Sequence, residues 1–283
     1  MLNYISGEKL QEIAEITIIF EDQRFGDLWP VQIKNTNCKY VIIKRDDPIP
    51  NDVHNARSIF VYTHGLDMFI ERVLPSLNHK FTLMSHNSDW GVDEKYRPLL
   101  DDDRIVEWYA QNIAYIHPKL KPIPIGIANS QWPHGNFKNI QEVINCNNSK
   151  TELVYNNFNC STSPGNRVHV QQALNRNNIP TNLPVDNATY LQELSRSKFC
   201  ICPYGSGYDS HRVWEALYLG SIPVVPNGPV FNYKNLPLLK VDNWNTITVN
   251  LLEDVYDEIV NNDYDLRELN LDYWRVKIEG TYI

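Results

Sequence analysis

The sequence predicts an α/β protein with parallel sheets, because short β-rich runs alternate with helix-like segments along the chain. In the first half, each of four such runs leads into a polar loop: 58–63 into HGLD, 81–85 into HNSD, 105–108 into YAQN, and 121–127 into ANSQWPHGN. Helix-like segments at 66–77 and 96–100 lie between them. Because ligands bind where parallel strands end, these polar loops are predicted to form a binding edge.

The second half repeats this alternation after a polar, Asn-rich stretch at 136–150, which we interpret as a hinge or linker. Its predicted strands cover 152–158, 198–202 and 221–225, and its predicted helices cover 164–175, 188–195, 210–219, 251–260 and 266–278. We therefore predict two domains, at 1–145 and 150–264. The C-terminal helix, about 265–283, is expected to pack back on the first domain.

Length and charge restrict the class of protein. The 283 residues suffice for two domains, and the net charge is −8. A nucleic-acid-binding protein usually has a basic excess or a basic stripe, which this sequence lacks, so an anionic ligand must be bound by a local cluster of donors. The first 20 residues do not resemble a signal peptide, and no run reaches the roughly 20 apolar residues of a membrane helix. We expect a cytoplasmic enzyme without a membrane span, or a catalytic domain cut from a longer protein.

Neither the cysteines nor the acidic cluster predicts a metal site. The five cysteines are an odd number, and Cys200 and Cys202 form a C-x-C in which the side chains of a strand point to opposite faces. A disulfide framework or a zinc site is therefore not expected. Asp101, Asp102 and Asp103 contain a D-x-D spacing, but we interpret DDDR as a solvated turn before a strand.

The segment 198–225 carries the functional argument. It reads as an apolar strand, a loop with Gly205 and Gly207, a helix whose N-cap is Asp209 or Ser210, a glycine stop and a second strand. The first turn of such a helix binds anions, because its N–H groups are free and the helix dipole is positive there. Residues such as Cys200 and Ile201 are expected to be core.

Basic and acidic side chains lie one helical turn apart in this segment. His211 and Arg212 stand in the first turn, and the planar guanidinium of arginine suits phosphate oxygens. Glu215 follows one turn later, where a carboxylate can accept hydrogen bonds from a ribose diol. Each residue alone is weak evidence, but the combination fits the size of a nucleoside diphosphate.

The motif SKFCICPYGSGYDSHRVWEALYLGSIPVV resembles the C-terminal motif of exostosin-like glycosyltransferases, as does NFNCSTSPGNR at 157–167. In the first half, YTHGLD, SHNSDWGV, WYAQN and PIPIGIANSQWPHGN resemble compact exostosin-like proteins of large DNA viruses, including chlorovirus xylosyltransferases. This resemblance implies a GT-B fold, in which two Rossmann-like domains face each other across a cleft and the C-terminal one binds the donor.

The resemblance also implies roles for individual residues in donor binding. It places the diphosphate on Arg167, His211 and Arg212 and the ribose on Glu215, whereas Tyr204, Ser206 and Tyr208 would line the sugar or base and Ser210 would begin the donor-binding helix. Tyr204 stands where the family often has arginine. The expected co-substrate is a UDP-sugar, with xylose favoured, and no cofactor or metal is expected. The partner is a glycan or glycoprotein acceptor.

The same comparison favours inversion of the anomeric centre. Retaining GT-B enzymes often have two acidic residues eight apart in this region, but the residue eight past Glu215 is Pro223. An inverting enzyme needs a general base near the acceptor hydroxyl, and the candidates are Asp67 first, then Asp89, then His86. The expected acceptor contacts are polar or aromatic side chains of the first half: His64, Asn112, Asn129, Trp132 and His134, with Trp90 as a second residue able to stack on a sugar.

Three alternatives remain open at this point. The chain could be a non-catalytic nucleotide- or glycan-binding module on the same scaffold, or a retaining GT-B transferase. A sulfotransferase is a weaker alternative, because it would need a Gly-rich phosphate-binding loop near the N-terminus, and the sequence has none.

Overall fold

The computed structural model describes residues 3–21, 36–44 and 47–280. The chain divides into two compact units: unit 1 contains Met1–Gly135 and Asn270–Ile283, and unit 2 contains Asn136–Leu269. Each unit is a mixed α/β structure around one parallel sheet, which confirms the predicted α/β class with parallel sheets. None of the described helices is long and apolar enough to cross a membrane.

Unit 1 is built on a six-stranded parallel sheet with strand order β2-β1-β3-β4-β5-β6. The strands are β1 Ile16–Phe20, β2 Tyr40–Ile43, β3 Ser58–Tyr62, β4 Phe81–His86, β5 Ile105–Ala110 and β6 Leu120–Pro122. β1, β3 and β4 are fully buried, as expected for apolar runs covered on both faces. Tyr62 pairs with His86, so β3 and β4 end side by side. The strand order reverses between β1 and β3, where open α/β sheets bind ligands.

The described helices of unit 1 are short, except for the last. They are α1 Gly7–Gln11, α2 Asn51–His54, α3 Leu66–Met68, α4 Arg97–Leu100 and α10 Leu271–Glu279. The predicted helix at 66–77 is irregular: α3 continues into a wide turn at Phe69–Val73 and a 3₁₀ turn at Leu74–Ser76. Pro75 lacks an N–H, which contributes to this irregularity. The predicted strand at 121–127 is shorter than expected, because Pro122 and Pro124 cannot donate to a ladder.

Helix α10 packs within unit 1. It contacts α1, and its side chains Leu271, Trp274 and Ile278 are buried. The Leu271 N–H donates to the Asn3 carbonyl at 2.7 Å, so the end of the chain is tied to its beginning.

Unit 2 has a four-stranded parallel sheet with strand order β10-β9-β8-β7. The strands are β7 Glu152–Tyr155, β8 Ser197–Ile201, β9 Ile222–Pro226 and β10 Leu239–Val241. The helices are α5 Phe137–Asn145, α6 Pro164–Arg176, α7 Asn187–Ser195, α8 His211–Tyr218 and α9 Val249–Asn261. The core packs α6 and α9 against one face of this sheet, with Leu174, Phe199 and Leu252 fully buried.

The interpretation of 136–150 as a hinge or linker was wrong for most of its length, because α5 occupies 137–145. Asn136 is the N-cap, and its side chain accepts a hydrogen bond from the Lys138 N–H at 3.0 Å. Phe137, Ile140 and Val143 are buried at helical spacing, so this polar stretch contains an amphipathic helix.

Candidate functional site

Helix α8 begins at the carboxyl edge of the unit 2 sheet. β8 ends at Ile201, a loop follows, and Ser210 is the N-cap in extended conformation, with φ −143° and ψ 146°. The Ser210 hydroxyl makes no capping hydrogen bond. The N–H groups in the first turn of α8 therefore donate no hydrogen bond to the Ser210 side chain.

Asp209 anchors the start of α8. Its buried carboxylate accepts from the Trp214 indole N–H at 2.9 and 3.0 Å and from the Ser210 N–H at 2.8 Å. Trp214 is fully buried, so this anchor connects the loop to the core. Of the two predicted N-caps, Ser210 takes the position and Asp209 fixes it.

The glycine-containing loop approaches Arg167 closely. A β-carbon on Gly205 would lie 3.0 Å from Arg167 Nη2. The Tyr204 carbonyl accepts from Arg167 Nε at 2.9 Å, and the Tyr204 ring packs against Tyr208 and Phe231. Tyr204 therefore holds an arginine through its backbone. The side chains of Ser206 and Tyr208 are exposed beside it.

Arg167 is a buried cation whose guanidinium group is only partly hydrogen-bonded. It is 8% exposed on α6, and its Nη1 donates to the Asn159 carbonyl at 2.9 Å. Nη2 makes no hydrogen bond to the described residues. Burial, and then repulsion by Arg212, lower the pKa of Arg167. Arg167 bonds to the Asn159 carbonyl and Arg212 bonds to the Asn157 side chain, so both guanidinium groups lie beside the segment that follows β7. An anion bound there would relieve the repulsion between the two cations.

Arg212 is held on two sides. Its Nη1 donates to Asn157 Oδ1 at 2.6 Å, and its guanidinium lies over the Tyr190 ring, 5.4 Å from the centroid. Burial acts to lower the pKa of Arg212, but the nearby Tyr190, Cys200 and Glu215 outweigh it and raise the pKa. The guanidinium therefore stays charged.

Glu215 is buried one turn further along α8. Its Oε2 accepts from the Tyr190 hydroxyl at 2.6 Å, and Oε1 makes no hydrogen bond to the described residues. Burial, and then Glu215, raise the pKa of Tyr190 well above its ordinary value. The predicted Arg212–Glu215 spacing thus exists, with a buried tyrosine between the two groups.

Three residues of this site were not predicted from the sequence: Asn157, Asn159 and Tyr190. The two asparagines follow β7, so the rule applied to the polar loops of the first half could have found them. Tyr190 lies in the middle of α7 and carries no comparable signal.

In unit 1, the three base candidates have different surroundings. Asp67 is exposed and forms an ion pair with Lys95 at 3.5 Å. Asp89 is exposed after β4. His86 is buried: its Nε2 lies 2.9 Å from the Pro124 carbonyl, and Nδ1 accepts from the Asn87 N–H at 2.7 Å. Both ring nitrogens of His86 are thus used in the fold.

Two predicted acceptor contacts, Asn112 and Asn129, are buried and support the backbone. Asn112 has a positive φ of 56°, and its Nδ2 donates to the Ser88 carbonyl at 3.0 Å. Asn129 accepts from the Glu8 N–H and donates to Asn87 Oδ1, both at 3.0 Å.

The aromatic acceptor candidates are more accessible. The exposed rings of Trp132 and His134 stack with centroids 6.5 Å apart. The His64 ring lies 6.4 Å from the ring of Trp90, which is 48% exposed. Burial lowers the pKa of His64 to about 4, so the ring is neutral at physiological pH.

The described residues contain no group of three or more His, Cys, Asp or Glu side chains arranged to hold a metal ion. In the DDDR turn, Asp102 pairs with Arg104 at 2.6 Å, and the hydrogen bond from Arg104 lowers the pKa of Asp102. All five cysteines are free thiols.

Comparison with known proteins places the unit 2 site in a family context. Residues 136–262 match the model of the Exostosin GT47 domain. Over 70 residues the chain is 41% identical to a probable glycosyltransferase of Arabidopsis thaliana. The aligned region is 25% of this chain and 14% of that relative. The site from Asn157 to Glu215 lies inside the family match. Over 136–262 the chain is therefore similar to exostosin-type glycosyltransferases, and this similarity points to glycosyl transfer.

Proposed function

We propose that the protein transfers a sugar from a nucleoside diphosphate sugar to a hydroxyl of a glycan acceptor, and that unit 2 binds the donor. One observation carries this proposal: Arg167 and Arg212 both bond to the segment that follows β7, at Asn159 and Asn157. Arg212 stands in the first turn of α8, one helical turn before the buried carboxylate of Glu215. Two guanidinium groups suit a diphosphate, and a carboxylate at that distance suits the ribose.

Departure of the diphosphate is the step that unit 2 would assist. As the bond between the sugar and the diphosphate breaks, negative charge grows on the leaving oxygen. Arg167, Arg212 and the start of α8 supply fixed donors and positive charge for it. These groups support a transfer that needs no metal ion.

Proton removal from the acceptor would fall to unit 1. Asp67 follows β3, one of the two strands at the point where the sheet order reverses, and Asp89 follows β4. Both are exposed carboxylates, which suits a general base, whereas both nitrogens of His86 are engaged. We propose Asp67 as the base, with Asp89 second, in an inverting GT-B enzyme that acts in the cytoplasm. Trp90, Trp132 and His134 offer rings for an acceptor sugar.

The donor we propose first is UDP-xylose, on the resemblance of the first half to compact xylosyltransferases. Thermal-shift measurements with UDP-, GDP- and CMP-sugars would test it, because a ligand that binds only the folded protein raises its melting temperature. UDP-xylose should give the largest shift. Equal shifts with all the sugars, or none, would contradict the donor assignment. The anomeric configuration of the product, read by NMR, then separates inversion from retention.

A second candidate function is a non-catalytic nucleotide- or glycan-binding module. The support for it is that Asn112, Asn129 and His86 hold the fold of unit 1, and Asp67 pairs with Lys95. Donor binding without transfer or donor hydrolysis, across a panel of glycan acceptors, would favour the module over the enzyme.

A further inference from the structure

A closed set of contacts, which we name the Tyr190 circuit, joins five side chains of unit 2: Tyr155, Asn157, Tyr190, Arg212 and Glu215. Tyr190 donates its hydroxyl to Glu215 Oε2 at 2.6 Å and presents its ring to Arg212. Arg212 donates to Asn157 at 2.6 Å, and Asn157 donates to the Tyr155 hydroxyl at 2.6 Å. The rings of Tyr155 and Tyr190 close the circuit, with centroids 5.7 Å apart.

Tyr190 is the member that touches both the arginine and the carboxylate. Its ring face meets the cation and its hydroxyl meets the anion, so one rigid side chain sets the distance between them. Within the described residues, Arg212 and Glu215 form no ion pair with each other, although they lie one turn apart on α8. A direct pair would use the charges that a nucleotide needs.

The position of Tyr190 is itself fixed by α7. Asp186 caps this helix by accepting from the Thr189 N–H at 3.0 Å and the Thr189 hydroxyl at 2.8 Å. Leu191 and Leu194, which follow Tyr190 on the same helix, are also buried. The ring therefore has little freedom to move away from α8.

We infer that Tyr190 is a positioning residue for the nucleotide: it keeps Glu215 apart from Arg212 and leaves Oε1 as the oxygen that receives a ribose hydroxyl. This inference rests on the proposed function. Tyr190 itself contacts no ligand and acts through the Glu215 carboxylate. The inference also assigns the ribose contact to one carboxylate oxygen, because Tyr190 occupies the other.

A double-mutant cycle tests this inference. UDP, GDP and ADP would be titrated by calorimetry into the wild-type protein, Tyr190→Phe, Glu215→Gln and the double variant. Tyr190→Phe keeps the ring under Arg212 and removes the hydroxyl. We expect it to lower the affinity for the nucleotide that binds best by about tenfold, which is the lower range for loss of a hydrogen bond to a charged group. In the Glu215→Gln background the same change should cost less than about twofold, because the two residues act as one.

Tyr218→Phe is the matched control. Tyr218 is as buried as Tyr190, at 8% exposure each, and its hydroxyl donates to the Leu269 carbonyl at 2.9 Å. Both variants lose a buried hydroxyl and a hydrogen bond, but only Tyr190→Phe should change nucleotide affinity. Unchanged affinity in Tyr190→Phe, or equal losses with and without Glu215, would overturn the inference while leaving the proposed function in place. A wild-type protein that binds none of the three nucleotides would overturn both.

Discussion

At the scale of single residues, the planar fork of Arg212 is the feature that the proposed site needs most. Arg212→Lys keeps the charge but loses the fork and its stacking on Tyr190. We expect UDP binding to become less favourable by about 1–3 kcal/mol, which is typical for a lost hydrogen bond to a charged group. Calorimetry would measure it.

Arg176→Lys is the control for this substitution. Arg176 is exposed on α6 and bonds to Asn245 at 2.8 Å, away from the circuit. If both lysine variants bound UDP as the wild type does, Arg212 would have no role in gripping phosphate.

His64 gives unit 1 a pH dependence of known sign. Its pKa is lowered from 6.5 to about 4 by burial, so between these values the unfolded chain binds more protons than the folded one. The stability that neutral His64 provides is therefore complete above about pH 6.5 and is lost as the pH falls toward 4. We expect the contribution of His64 to the free energy of unfolding to be about 2 kcal/mol smaller at pH 4.5 than at pH 7.

Urea unfolding of the wild type and of His64→Asn from pH 4.5 to 7 would isolate this contribution. Asparagine does not titrate, so the variant should show a shallower loss of stability on acidification. Parallel pH profiles for the two proteins would mean that His64 is not a buried neutral ring.

Residue chemistry was predictable where the sequence placed polar groups together along the chain. The spacing of Arg212 and Glu215 is a property of one helix, so it could be inferred directly. The partners that hold them, Asn157 and Tyr190, come from other elements and meet them only through the fold. The roles of Asn112 and Asn129 could not be foreseen either, because a polar residue after a strand serves a ligand or the backbone equally well.

At the scale of elements, the loop before α8 leaves little room for a side chain at Gly205. The missing side chain leaves room for Arg167 Nη2, 3.0 Å from where a β-carbon would stand. Gly205→Ala should displace this guanidinium and lower UDP affinity by about tenfold, comparable to the loss of one charged hydrogen bond. Far-ultraviolet circular dichroism should remain that of the wild type.

Gly165→Ala provides the comparison for this loop, because a β-carbon at Gly165 meets nothing within 4 Å. It lies on α6, the helix that carries Arg167. UDP affinity that falls equally in both variants, or in neither, would argue against a steric role for the loop.

Element existence was easier to predict than element regularity. The strand–loop–helix at β8 and α8 follows from its apolar run, glycines and capping residues. Helix α5 was hidden because its buried face holds only Phe137, Ile140 and Val143 among many polar residues. The irregular turns at 63–76 depend on packing around Pro75, which periodicity does not report.

At the scale of the whole molecule, each unit has its own core. Helix α10 is part of unit 1 and packs on α1, although it follows unit 2 in sequence. Trp274→Ala removes a 2% exposed indole from α10 and should destabilise unit 1 by about 3–5 kcal/mol. Urea unfolding followed by far-ultraviolet circular dichroism would measure this. UDP affinity under native conditions should be unchanged, since the proposed donor site lies in unit 2.

Leu252→Ala is the counterpart in unit 2, where the side chain is fully buried on α9. It should lower the midpoint of the transition that UDP protects, whereas Trp274→Ala should not. A UDP-protected transition that responds to Trp274→Ala alone would contradict the placement of the donor site.

The alternation of strands and helices was enough to predict parallel sheets, but not the strand order. In unit 1 the second strand returns to the outer side of the first, so β1 lies between β2 and β3. That order depends on pairing between segments distant in sequence, and it decides that Asp67 follows a strand at the point of reversal.

The proposed function depends on a diphosphate binding at the start of α8, with Arg167 and Arg212 as donors. Calorimetric titration of the wild-type protein with uridine, UMP and UDP at fixed salt tests it most directly. Affinity should rise with each phosphate, and UDP should bind at least about 100-fold more tightly than uridine, the gain from two charge-assisted contacts. Equal affinity for uridine and UDP, or no binding of either, would contradict it.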